Sequence, residues 1–190
     1  MERGARHRMP TLLRAVVAGL AIAGGAVSLF ACAQPSAQPT PTPTAIFASE
    51  DEALAAATDT YAKYSAAYDL SNSLGGKDMS SVAPYVTDAH LMDLGVPGVL
   101  QENGWHTTGI STFTPASIDR FKQEGERAEV ILNLCRDVSQ VRIVAADGSD
   151  VTPVERSSVL PLSVTLTSAN EDPRKLLVSK VESWTEDVAC

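Results

Sequence analysis

With 190 residues and a formal net charge of −8 the chain is acidic, and because Arg3, Arg6, Arg8, Arg14 and Glu2 contribute +3 within residues 1–31, the remainder carries −11. Such a surface repels nucleic-acid phosphates and holds no Lys/Arg cluster for docking on anionic lipid, which sets aside nucleic-acid binding and polybasic membrane attachment. Once the first third is discounted, the length suits one domain with one hydrophobic core.

Residues 1–31 have the layout of a secretion signal. The four arginines precede an apolar run from Ala15 to Phe30, and small residues crowd its far end. An uncleaved span is the alternative, since the run sits at the lower edge of what crosses a bilayer. The run closes on Leu29-Phe30-Ala31-Cys32, which resembles the bacterial lipobox. That resemblance implies a diacylglyceryl group on the Cys32 sulfur, Cys32 as the mature N-terminus, and residence on the outer face of the bacterial cytoplasmic membrane. Two acyl chains make a stable anchor where one is marginal. From Cys32 to Ala45 the chain carries no large apolar side chain and alternates Pro with Thr near its end, the composition of an extended spacer of about 3.1 Å per residue.

The folded part is expected over residues 46–190. Ser49 followed by Glu50, Asp51 and Glu52 is a capping box with acidic residues in the first turn, so a helix should run from there to about Asp69. Leu54, Ala57, Tyr61, Tyr64 and Tyr68 recur along it at spacings of three and four and share one face. Gly75-Gly76 breaks that pattern. Asp78 or Thr87 can cap shorter helices over roughly 80–94 and 96–102, which Pro84 and Pro97 keep from merging. After Gly104 the period becomes two. Strands are predicted over 105–113, extending to Phe121 with interruptions near Gly109 and Pro115, then 128–134, 141–145, 160–166 and 176–184. Helices first and an antiparallel meander after them predict an α+β domain.

This order of elements resembles the NTF2-like, or cystatin-like, superfamily, in which N-terminal helices pack into a strongly curved antiparallel sheet to form a cone. It is also similar to small wall-anchored lipoproteins of Gram-positive bacteria with a late and a C-terminal cysteine. With Cys32 lipidated, Cys135 and Cys190 are the remaining thiols in an oxidising compartment, and a disulfide between them is expected.

No zincin-like His-Glu motif, phosphate-binding glycine loop or nucleophile elbow is present, so neither a metal nor a cofactor is expected. His90 and Asp93 share a helix face, read as solvated surface. The phenols of Tyr61, Tyr64 and Tyr68 need hydrogen-bonding partners that an apolar core does not supply. They are therefore expected to wall a pocket, within reach of His106. Together these features predict a lipid-anchored, non-enzymatic binding protein whose partner is an envelope protein or a small apolar ligand. The alternatives are an enzyme doing acid/base chemistry in the cone and a structural homodimer.

Overall fold

A computed structural model describes residues 45–114, 116–184 and 190. The expected signal, the Cys32 lipid site and the spacer up to Thr44 lie outside the described residues. Helix α1, Glu50–Ser73, starts as its sequence dictates. The Ser49 hydroxyl accepts from the Glu52 amide at 3.2 Å, and the Glu52 carboxylate accepts from the Ala48 amide at 2.7 Å. These contacts satisfy two amides that no helical carbonyl can reach. The helix runs one turn beyond Asp69 and stops where Gly75 and Gly76 adopt φ of +88° and +70°, conformations that glycine alone takes without strain.

The buried residues of α1 are Ala53, Ala57, Tyr61, Tyr64, Ser65, Ala67 and Ser71, while Leu54 and Tyr68 are partly buried on the flanks. Small alanines at the centre let the helix axis approach the sheet closely, and the bulkier side chains fill the spaces beside it.

The segment expected to be one helix over 80–94 divides. A 3-10 turn, Ala83–Tyr85, ends where Val86 becomes extended and bridges Val178, and the Thr87 amide donates to the Val178 carbonyl. Only then does α2, Asp88–Leu94, begin, capped by the Thr87 hydroxyl. Pro84 supplies no amide to continue a helix, and the exposed edge of the neighbouring strand offers the backbone a better partner. Helix α3, Val99–Asn103, follows.

The expected first strand is three pieces: β1, His106–Thr108; β2, Thr112–Phe113; and β3, Ser117–Glu124. Both β2 and β3 pair along the same side of β4, Arg127–Asp137, which continues through β6, Val159–Ser168, to β7, Leu176–Ser183. Every ladder is antiparallel and the sheet is open. The expected third strand, β5, Arg142–Val144, leaves this sheet and pairs with β1 in a separate ribbon.

Alternation places Ala128, Val130, Leu132 and Leu134 of β4, Leu162, Val164 and Leu166 of β6, and Leu176 and Val178 of β7 in the core with the buried face of α1. The intervening positions are incompletely buried and mostly polar, with Glu129, Asn133, Ser163, Thr165 and Thr167 beside the apolar Ile131, Pro161 and Leu177, so the opposite face of the sheet is mixed and solvent-facing. Cys135 belongs to that alternate set, and its sulfur is bonded to that of Cys190 at 2.03 Å.

The chain enters the domain through a clamp. Phe47 donates its amide to, and accepts at its carbonyl from, the side-chain amide of Gln123 on β3, both at 3.0 Å. Arg174, in the turn between β6 and β7, donates to the Ile46 carbonyl, pairs with Glu52 and lies over the Phe47 ring. Among the described residues no helix is long and apolar enough to cross a membrane.

Candidate functional site

On the side of α1 turned away from the core, Ala62, Ala66 and Leu70 repeat every four residues and are exposed. Opposite them runs the loop from Gly109 to Phe113, and between the two lies an open groove of about 530 Å³. Leu70 is 54% exposed and Ile110 70%, so the groove presents apolar side chains from both of its walls to solvent. Ser65, Asp69, Ser73, Ser111 and Thr112 bring polar groups to the same groove.

The loop is held at both ends. Gly109 has φ +79°, and a Cβ there would stand 2.0 Å from the Gln140 carbonyl oxygen, so no other residue fits without moving the backbone. At Ser111 the restraint is polar. Its amide and hydroxyl both donate to Asp69 Oδ2, at 2.8 and 2.7 Å, and its hydroxyl accepts from Arg136 Nε at 2.9 Å. Arg136 Nη2 meets Asp69 Oδ1 at 2.5 Å, with both side chains largely buried. This network joins α1, the loop and β4, and the Arg136 guanidinium also lies over the Tyr68 ring at 5.7 Å. Through these three accepted hydrogen bonds the Asp69 carboxylate ties the loop and β4 to α1, so the network fixes the position of the groove wall.

The three expected pocket tyrosines do come together. Tyr61 and Tyr64 rings lie 5.9 Å apart, Tyr64 stacks on Tyr68 at 5.8 Å, and Phe113 meets Tyr61 edge-on at 5.0 Å. Tyr61 and Tyr64 belong to the core, with Tyr61 fully buried. Tyr68 borders a second groove, of about 430 Å³, with Asp93, Val96, Val99 and Arg156. His106 is not grouped with them in either groove; it lines a shallow hollow with Ser73, Lys77 and Trp105. Burial pushes the Tyr61 phenol up to about 12, with Arg136 opposing and Asp69 reinforcing the rise. Tyr64 is raised as well, by burial first and then by its two tyrosine neighbours. Both remain neutral phenols at ordinary pH.

Two buried polar atoms have no hydrogen-bond partner among the described residues, Tyr61 Oη and His90 Nε2. The reading of His90 as solvated surface is therefore corrected. The residue is 8% exposed and its ring lies 6.0 Å from that of Tyr64, because α2 turns this residue inward against α1. Burial holds the imidazole below its ordinary value of 6.5, with Asp93 opposing. The unfolded chain thus takes up a proton at His90 before the folded one does. This contribution to stability is complete above about pH 6.5 and is lost as the pH falls through the interval below it. Denaturation midpoints measured at pH 7.5 and 5.5 should show a larger acid loss for the native chain than for His90→Phe; equal losses would contradict the burial argument.

No family model, curated protein or solved structure matches this chain. Its site must be read from its own geometry. Among the described residues no group of three His, Cys, Asp or Glu side chains is arranged to hold a metal ion. The Asp69–Ser111–Arg136 network and the groove it shapes escaped the sequence reading. The one available signal was the four-residue repeat of Ala62, Ala66 and Leu70 on the helix face opposite the tyrosines, which an alanine-rich helix hides.

Proposed function

We propose that this protein is a lipid-anchored, extracytoplasmic binding protein of the bacterial cell envelope, non-enzymatic, that holds a small apolar ligand in the groove between α1 and the Gly109–Phe113 loop. The observation that carries the binding role is the pairing of exposed Leu70 and Ile110 on a groove of about 530 Å³, a volume within the range of small-molecule sites. Asp69 is engaged by Ser111 and Arg136, which supports a structural role for it in shaping a binding groove. The anchoring rests on the basic N-terminus, the apolar run and the lipobox-like Leu29–Cys32, followed by a Pro/Thr spacer. A long first helix, then short helices, then antiparallel strands, with the apolar helix face against the sheet, supports an NTF2-like cone as the architecture.

Two mass measurements on protein recovered from its own envelope test this. The mature N-terminus should be a Cys32 carrying acyl chains; an intact chain from Met1 with an unmodified Cys32 would defeat the anchor. Native mass spectrometry should show an organic ligand that is lost when Ala66→Trp fills the groove. A ligand-free native chain, or a ligand retained unchanged in the variant, would defeat the binding site.

A further inference from the structure

The groove combines two features that narrow its ligand. Its apolar walls, formed by Ala66, Leu70, Ile110 and Phe113, are suited to a hydrocarbon. Its one charged lining residue, Asp69, is paired with Arg136, and Ser65 and Ser111 add hydroxyls, whose oxygens lie 3.4 Å apart. A charged headgroup would find no uncompensated counter-ion in this lining, which a neutral hydroxyl or carbonyl does not need. The surrounding −11 charge further opposes carboxylates and phosphates.

A second observation points to a ligand oxygen. Behind the groove wall, Tyr61 is completely buried and its hydroxyl has no partner among the described residues. Buried polar groups are paired in nearly all native structures, so this hydroxyl calls for one. Phe113 packs edge-on against Tyr61 and also lines the groove. Because Tyr61 is fully buried, a ligand oxygen in the groove reaches its hydroxyl only if the Phe113 ring turns aside.

We infer that the ligand is a neutral amphiphile, a hydrocarbon chain ending in hydroxyl or ester groups, whose head lies among Ser65, Ser111 and Tyr61 and whose chain runs along Ala66, Leu70 and Ile110. This inference rests on the binding role proposed above. Its occupant is of the class of an acylglycerol, as distinct from a fatty acid or a cationic lipid.

The test uses the full chain, exported and lipidated by a bacterial host and placed in phosphatidylcholine vesicles. Three diazirine-bearing probes share one sixteen-carbon chain, in the sense of a common tail length chosen for the experiment, and end in a glycerol ester, a carboxylate or a trimethylammonium group. Photolabelling is mapped by peptide mass spectrometry. The glycerol ester should label the peptides of α1 and the Gly109–Phe113 loop on the order of tenfold more than either charged probe. Tyr61→Phe should lower that labelling about fivefold, as loss of one neutral hydrogen bond does, while leaving the thermal midpoint unchanged or raised, because an unsatisfied buried hydroxyl has been removed. Equal or stronger labelling by a charged probe would overturn the neutral-head assignment and leave the binding role standing. Undiminished labelling of Tyr61→Phe would overturn the Tyr61 contact. Absence of groove labelling by all three probes would overturn both this inference and the binding role.

Discussion

Asp69→Ala should destabilise the domain by about 3–5 kcal/mol, the cost of leaving a buried partner charge uncompensated. Arg136 is the group left behind, with its side chain only 13% exposed, and Ser111 loses the acceptor for both its amide and its hydroxyl. A loss of this size corresponds to a fall in Tm on the order of 10 °C for a domain of this length. The double variant Asp69→Leu/Arg136→Met should recover most of it, since well-packed apolar residues replace a buried ion pair at little net cost. Thermal and chemical denaturation followed by circular dichroism checks both statements. A loss below about 1 kcal/mol for Asp69→Ala, the range of exposed ion pairs, would show that the network is solvated and contributes little to holding the groove wall.

The second large effect belongs to the cysteines. Cys135 and Cys190 are 55 residues apart in sequence, and closing a loop of that length stabilises by about 4 kcal/mol in the chain-entropy account, an upper figure because the open chain retains some structure. The bond ties Cys190 to β4 at the position paired with Pro161, whose carbonyl accepts from the Trp184 amide. Cys190→Ser should lower Tm by about 10 °C on the same scale, and a reducing agent should do the same to the native chain. Non-reducing peptide mapping should recover the linked peptides. Two alkylatable thiols in protein taken from the envelope, with no response of Tm to reduction, would refute the stapling role.

The elements governed by local chemistry were legible in the sequence. The start of α1 follows from Ser49 and the three acidic residues behind it, and β4 and β6 follow from apolar residues at every second position, such as Val130, Leu132 and Leu134 or Leu162, Val164 and Leu166. What could not be read is which faces meet. Periodicity reports that Tyr61 and Tyr64 share a face, but the inward turn of His90 and the edge-on approach of Phe113 depend on chain paths set elsewhere. The same holds for β5. Its apolar alternation is that of a meander strand, yet it pairs with β1, and Gly109 seated against Gln140 brings those two segments together. Asp69, Ser111 and Arg136 are ordinary polar residues at separations of 42 and 25 positions; nothing in their local sequence links them. The three phenols were expected to reach a pocket for want of partners. The Tyr61 hydroxyl is buried and has no partner among the described residues.

The clamp at the entrance of the chain has a mechanical consequence. Tension on residues upstream of Ile46 does not peel α1 from its first turn, because it is intercepted by the paired amide bonds between Phe47 and Gln123 and by the Arg174 contact to Ile46. Force therefore passes into β3 and the β6–β7 turn, two places on the sheet at once. Rupture requires several hydrogen bonds and the Phe47 ring, packed against Phe121 and beneath Arg174, to give way together. A domain pulled from this end should resist small loads as a unit and yield abruptly, with the helix that forms one wall of the groove among the last parts to feel the strain.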